Sequence, residues 1–204
     1  MRATDHGQLT ISMNSSHKLS LKTRARKVRL LLLDVDGVLT DGRIYYVPAG
    51  AGKSAGKGLK LVETKTFHSR DGLGIKIWHR NGFKTGLISG RESPIVEYRA
   101  QELGIHFVRQ GHREKLGPYR EILREADVQD DEVCYVGDDL VDLPLLTRVG
   151  LAAAVADSHP LLARYVHYVT KARGGLGAVR EVIELILAAQ GKFKPLLDAY
   201  VAPD

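Results

Sequence analysis

Residues 28–37 read "VRLLLLDVDG". Four successive leucines leave no polar face, so a strand here is buried on both sides, as interior strands of parallel sheets are. The run stops at Asp34-Val35-Asp36-Gly37. A buried strand ending this way delivers two carboxylates to one edge of the sheet, where open parallel sheets bind ligands.

The rest of the chain repeats that grammar. "FKTGLIS" (83–89), "IHFVRQG" (105–111), "EVCYVGDD" (132–139), "LAAAVA" (151–156) and "VHYVT" (166–170) are short apolar runs. Helical stretches separate them. "DGLGIKIWHRNG" (71–82) closes on Asn81-Gly82. "SPIVEYRAQELG" (93–104) starts at Ser93-Pro94 and stops at Gly104. "LGPYREILREA" (116–126) enters through Pro118, and "GAVREVIELILAAQG" (177–191) carries an apolar stripe through Val179, Val182, Ile183, Ile186 and Leu187. Alternating strands and helices predict an α/β, Rossmann-like doubly wound parallel sheet with helices on both faces. "RIYYV" (43–47) and "LKLVETKTF" (59–67) interrupt the alternation and predict a β-hairpin flap over 41–67.

The 204 residues fit one domain. Its expected extent is 28–192, with a flexible basic arm at 1–27 and a tail at 193–204. The net charge of +6 is concentrated: residues 1–29 hold seven Lys or Arg against Asp5 alone, leaving the remainder neutral. No apolar stretch reaches the ~20 residues of a membrane helix, and no signal-peptide core is present. Cys134 is the only cysteine, so the expectation is a cytoplasmic enzyme without an internal disulfide.

"AGAGKSAGKG" (49–58) invites comparison with a phosphate-binding P-loop. That motif needs Gly five residues before its Gly-Lys, and both registers fail, at Val47 and at Ala51. The stretch also joins two antiparallel strands, so no helix N-terminus follows it. It is expected to be the hairpin tip.

The chemistry lies at the strand ends instead. Asp34 and Asp36 follow the first strand, Ser89-Gly90-Arg91 the second, and Asp138-Asp139 the fourth, with Asp142 one turn on. Lys115 opens the helix after the third. Taken singly, a DxD or GDD is a turn or a cap. Four strand exits, each offering a phosphate- or metal-compatible group, point to phosphoryl transfer. Asp34 is the expected nucleophile, and Asp36 the acid and then base. Carboxylate attack on an anionic ester calls for a hard cation, Mg²⁺, held by Asp34, Asp138 and the Asp36 carbonyl. Asp139 and Asp142 would steady those ligands. Ser89 and Lys115 would stabilise the phosphoryl oxygens.

"DVDGVLTDG", "LISGR", Lys115 and "GDDLVDLP" resemble the four motifs of haloacid dehalogenase-like phosphatases. "SRDGLGIK", "YVGDDLVDLPLL", "VGLAAAVADSHPLL" and "GGLGAVREVIELILAAQGK" resemble those capless members that act on 3-deoxy-D-manno-octulosonate 8-phosphate. The resemblance runs from Arg29 to Lys192. It implies a Mg²⁺-dependent hydrolase on the route to the lipopolysaccharide inner core. It further implies a homotetramer, with a C-terminal segment such as 172–181 near a neighbouring site. Its substrate contacts fall on Asp36, His68, Ser69, Arg70, Asp71, Gly72, Lys76, Arg91, Arg99 and Lys115. Spacing agrees with the capless class: neither 37–89 nor 91–115 has room for a lid domain. Two departures stand out, a longer Gly/Lys-rich hairpin tip and His68 where the family pattern has Asn.

Alternatives are a phosphatase of the related nine-carbon keto sugar acid phosphate and a nucleic-acid-end phosphatase anchored by the basic arm. The neutral body offers no aromatic platform or basic groove for nucleic acid. A non-catalytic phospho-acceptor would have no use for Asp36.

Overall fold

The computed structural model describes residues 19–49 and 61–202. The buried leucine run is β1 (Leu30–Leu33), at the centre of a six-stranded sheet. It is flanked by β4 (Lys84–Ile88) and β6 (Val133–Gly137); β5 (Phe107–Arg109) lies beyond β4, and β7 (Leu151–Ala154) and β8 (Tyr168–Val169) lie beyond β6. All the pairings are parallel. The expected doubly wound fold is therefore present. Leaving β1, the chain builds outward through β4 and β5, then returns to β6 on the other side. The crevice at that reversal is where such sheets place ligands.

Side-chain alternation divides β1 between two cores. Leu31 and Leu33 join Cys134, Val136 and Leu87 on one face; Leu30 and Leu32 join Ile88, Val133 and Tyr135 on the other. The first face is covered by α1 (Leu21–Lys27), α2 (Ser69–Arg80), α3 (Pro94–Leu103) and α6 (Ala178–Ala189), the second by α4 (Leu116–Ala126) and α5 (Leu143–Leu146). The apolar stripe of α6 is core: Val179, Val182, Ile183, Ile186 and Leu187 are all buried.

One expectation about the periphery needs revision. The flexible arm does not extend through residue 27, because residues 21–27 form α1. Ser20 caps that helix by accepting from Thr23 N–H at 3.2 Å. Ala25 is fully buried, and Arg24 donates to the Gly150 carbonyl at 2.8 Å. Residues 1–18 lie outside the described residues. At the other end, the tail contains α7 (Phe193–Val201), which buries no residue. The segment 172–181, expected near a neighbouring site, also makes contacts within its own chain. Gly175 N–H donates to Val38 O at 2.9 Å, and Gly174 N–H donates to Asp157 at 2.9 Å. A Cβ on Gly174 would collide with the Gly37 carbonyl, which explains the glycine there.

The hairpin is formed by β2 (Tyr45–Pro48) and β3 (Leu61–Thr64), paired antiparallel. Its tip, 50–60, falls outside the described residues. No helix among those described is long and apolar enough to cross a membrane.

Asp71, expected at the substrate, is turned to a structural task. It is buried, and its carboxylate accepts from Gly177 N–H at 3.0 Å and Arg180 N–H at 2.8 Å. It thus caps α6 from another helix, where a negative charge also suits the helix dipole. Burial pushes its carboxyl up, opposed by those N–H donors. Asp71→Ala would leave both amides unmet and is expected to cost about 2–3 kcal/mol. Asp71→Asn, keeping one acceptor, should cost less. Urea unfolding midpoints check the order, and an unchanged midpoint for the alanine variant would rule the cap out.

Candidate active site

The sheet register places the predicted groups together. Leu33 pairs with Leu87 on one side and Val136 on the other. Asp34 therefore leaves the centre of the sheet with Ser89 and Asp138 close by on the neighbouring strand ends. Asp34, Ser89 and Lys115 are buried, and they line a cavity of about 310 Å³ together with Asp36, Asp138 and Asp139. The loop carrying Asp34 and Asp36 is tightly wound. Val35 O accepts from the N–H groups of Val38, Leu39 and Thr40 at 3.0–3.3 Å. Gly37 has φ +96°, and a Cβ there would strike the Asp138 carboxylate. Only glycine satisfies both conditions.

Lys115 is the buried cation of this well. Its ammonium lies 3.0 Å from Asp34 Oδ1 and donates to Asp142 Oδ1 at 2.7 Å and Tyr135 Oη at 3.2 Å. Burial alone would lower its pKa. Asp34 and Asp142 outweigh burial and hold it above the ordinary lysine value. Asp142 is fully occupied. Its Oδ1 also accepts from Tyr135 Oη at 2.6 Å, and its Oδ2 accepts from Asp138 N–H at 2.9 Å and Asp139 N–H at 3.2 Å. Asp139 in turn caps the turn 140–142, accepting from Leu140 N–H at 2.7 Å. The Asp-Asp-x-x-Asp spacing is thus a reciprocal capping box that positions Asp138.

Ligand oxygens of Asp34, Asp138 and Asp142 lie within 4.8 Å of one another. Burial first, and then their mutual repulsion, push the Asp34 and Asp138 carboxyls above their ordinary range, with Lys115 opposing the rise. Three carboxylates against one ammonium leave two negative charges in the well. A divalent cation with oxygen preference matches that deficit. Asp142 has no free oxygen, so Asp34 and Asp138 are the side chains fitted to hold it.

Asp36 occupies a different environment. Its Oδ1 accepts from the Lys65 ammonium, and its Oδ2 lies 3.6 Å from Arg91 Nε. Glu63, on β3, joins the group, 3.5 Å from Lys65 and 2.6 Å from Arg91. Arg91 therefore reaches the site as expected, but partnered by acids. Lys65 and Glu63 are site residues that sequence reasoning missed. Their only signal was a Glu-x-Lys at the end of a flap strand, which reads as an exposed edge.

The other predicted contacts do not enter this cavity. His68 caps α2, its Nδ1 accepting from Arg70 N–H at 3.1 Å. An Asn at that position would offer the same kind of cap. Ser69 begins α2, and Lys76 is exposed on it. Gly72 is buried against Arg99, and Arg99 pairs with Glu102 at 2.7 Å over the Phe67 ring. Arg70 lines a separate depression with Leu73, Leu176 and Arg180.

A parallel sheet with an Asp-x-Asp at its central strand, a buried lysine and an acidic pair opposite is the architecture of a haloacid dehalogenase-like hydrolase, and residues 72–150 match the model of that family. The chain is 45% identical over 171 residues to the 3-deoxy-D-manno-octulosonate 8-phosphate phosphatase KdsC of Yersinia pestis, covering 84% of this chain and 86% of that one. The crystal structure of the Yersinia pestis phosphatase superposes with a TM-score of 0.78 at 44% identity, covering 85% of this chain and 88% of that one. That of the Moraxella catarrhalis phosphatase, in complex with magnesium ion, phosphate ion and a KDO molecule, superposes with 0.79 at 34% identity, covering 88% and 97%. The chain belongs to the 3-deoxy-D-manno-octulosonate 8-phosphate phosphatase family.

Tyr135 had no place in the sequence reading, yet it ties Lys115 to Asp142. Tyr135→Phe removes only the hydroxyl. It is expected to lower phosphate release about tenfold, as loss of a group supporting metal ligands does, while the fold is retained. Steady-state assays at saturating Mg²⁺ check this, and full activity would show that the hydroxyl is dispensable.

Proposed function

We propose that this chain hydrolyses 3-deoxy-D-manno-octulosonate 8-phosphate to the free sugar acid and phosphate, a step towards the lipopolysaccharide inner core. The observation carrying the chemistry is the contrast between two aspartates two residues apart. Asp34 is buried against Lys115; Asp36 faces the flap. Separate environments for paired carboxylates are how acid, base and nucleophile roles are divided.

These two carboxylates carry the proposed steps. An Asp34 carboxylate oxygen attacks phosphorus, and the ester P–O bond breaks. The departing alkoxide takes a proton from Asp36. Asp36 then removes a proton from water, whose oxygen attacks the phospho-Asp34. Phosphate leaves and the Asp34 carboxylate is restored. Lys115 and Ser89, which line the cavity with Asp34, would bind the phosphoryl oxygens. Mg²⁺, held by Asp34, Asp138 and the Asp36 carbonyl, would supply charge neutralisation between nucleophile and phosphate.

The same reading includes a homotetramer in the cytoplasm. Tyr46, Val47, Leu61 and Val62 on the hairpin and Leu197, Tyr200 and Val201 on α7 are exposed apolar residues that subunit association would cover. Cys134 is buried and unpaired, as suits a reducing compartment.

Phosphate release from a panel tests the function: the eight- and nine-carbon keto sugar acid phosphates, a hexose phosphate and a 5′-phosphorylated oligonucleotide. Preference for the eight-carbon acid is expected; a nine-carbon or nucleic-acid preference would move the substrate. Asp34→Asn should lower turnover at least about a thousandfold, and retained hydrolysis would remove Asp34 as nucleophile. Chelation should abolish turnover and added Mg²⁺ restore it. Activity that survives exhaustive chelation would exclude the cation.

A further inference from the structure

The hydrolytic steps leave two arginines of the cavity over Asp34 unused, Arg91 and Arg113, and acids already partner Arg91. Arg113 lies between β5 and α4 and lines the same cavity as Asp34, Ser89 and Arg91. Main-chain hydrogen bonds lock its segment to the one after β4. Ser89 N–H donates to Arg109 O at 2.9 Å, Gly111 N–H to Arg91 O at 3.2 Å and His112 N–H to Ser89 O at 3.0 Å. A Cβ on Gly90 would stand 3.8 Å from Arg113 Cα. Arg113 is therefore anchored beside the residue that separates Ser89 from Arg91.

The other cations of the cavity and its flap are already matched. Lys115 faces Asp34 and Asp142; Lys65 faces Asp36 and Glu63; Arg91 faces Glu63 and Asp36. Among the described residues, Arg113 has no such partner. Its neighbour Glu114 is directed elsewhere, accepting from Leu116 N–H at 2.9 Å and Gly117 N–H at 3.2 Å at the start of α4. Glu92 lies over Gly111 without forming an ion pair to Arg113. An exposed guanidinium with free donors thus stands at the mouth, above a well suited to the phosphoryl group.

We infer that Arg113 binds the carboxylate of the substrate and so selects acidic sugar phosphates over neutral ones. This rests on the function proposed above. A keto sugar acid phosphate carries anions at both ends, and the phosphoryl end belongs in the well beside Lys115. The carboxylate then needs a second cation outside that well. A planar guanidinium matches a carboxylate with two parallel hydrogen bonds, and its charge survives at any working pH.

The test compares kcat/KM for the eight-carbon acid phosphate and for a neutral hexose phosphate in wild type, Arg113→Gln and Arg113→Lys. Glutamine is expected to lower the acid-to-neutral ratio about tenfold to a hundredfold, the range for a hydrogen bond to a charged group, chiefly through KM. Lysine should restore part of the ratio by charge alone. Inhibition by the free sugar acid should weaken in Arg113→Gln by a similar factor, and inhibition by inorganic phosphate by less. Equal losses on both substrates, or an unchanged ratio, would overturn the inference while leaving the phosphatase function standing. A wild type that does not prefer the acid would overturn that function, and this inference with it.

Discussion

The buried ammonium of Lys115 holds the site together. A lysine inside a protein is costly unless matched, and here Asp34 and Asp142 match it at 3.0 and 2.7 Å. That contact joins three elements: the end of β1, the start of α4 and the turn after β6. Remove the ammonium and the well would hold three mutually repelling carboxylates on a largely buried floor. The arrangement is also incomplete in the opposite sense, because one lysine cannot balance three acids. The residual charge makes the well receptive to a divalent cation, and the phosphoryl group brings its own oxygens to both. Structural stability and metal affinity thus come from one imbalance.

The hairpin is tied to this centre by a second set of charges. Lys65 is almost wholly buried although it belongs to the flap, and it meets Asp36 directly. Glu63 bridges Lys65 and Arg91, so the flap strand, the loop carrying Asp36 and the loop after β4 form one ionic group. In a capless enzyme this matters for the acid–base step. In the proposed mechanism Asp36 transfers a proton to the leaving group and recovers one from water, a role that needs a fixed orientation. A separate lid domain would hold such a residue by enclosure. Here a strand of the flap does so by pairing.

How much of this was legible in the sequence depended on how local each signal was. The central strand, its neighbours and the strand-end acids were readable because each strand is an unbroken apolar run ending in a polar residue. The order of those runs then fixes which ends meet. Tyr135 was not readable: in an apolar run it counts as a core aromatic, and only the register across to α4 and the following turn shows its hydroxyl at work. Lys65 and Arg113 look like surface cations, since burial and the lack of a partner are properties of packing rather than of spacing. Asp71 misled for the same reason. A helix-initial acid beside Arg70 suggests ligand binding, yet the packing of α2 on α6 turns it to another helix's amides. Residues 172–181 were legible only as a glycine-rich stretch, because such a stretch is equally suited to meeting a neighbour or its own chain.

Glycine at these places is a constraint on catalysis as much as on folding. Gly37 brings the Asp34–Asp36 loop so close to Asp138 that a single Cβ would collide with that carboxylate, and Gly174 lies against the Gly37 carbonyl from behind. The segment leading into α6 thereby backs the loop carrying Asp34 and Asp36. Asp71, by capping α6, fixes the start of that helix beside the same segment. A chain of contacts therefore runs from α2 through α6 and Gly174 to the loop carrying Asp34 and Asp36, with no side chain of that path entering the cavity. The family resemblance in "SRDGLGIK" and "GGLGAVRE" is explained on this account by positioning: both segments are needed to hold Asp34 and Asp36 where they act, whether or not either one touches the sugar.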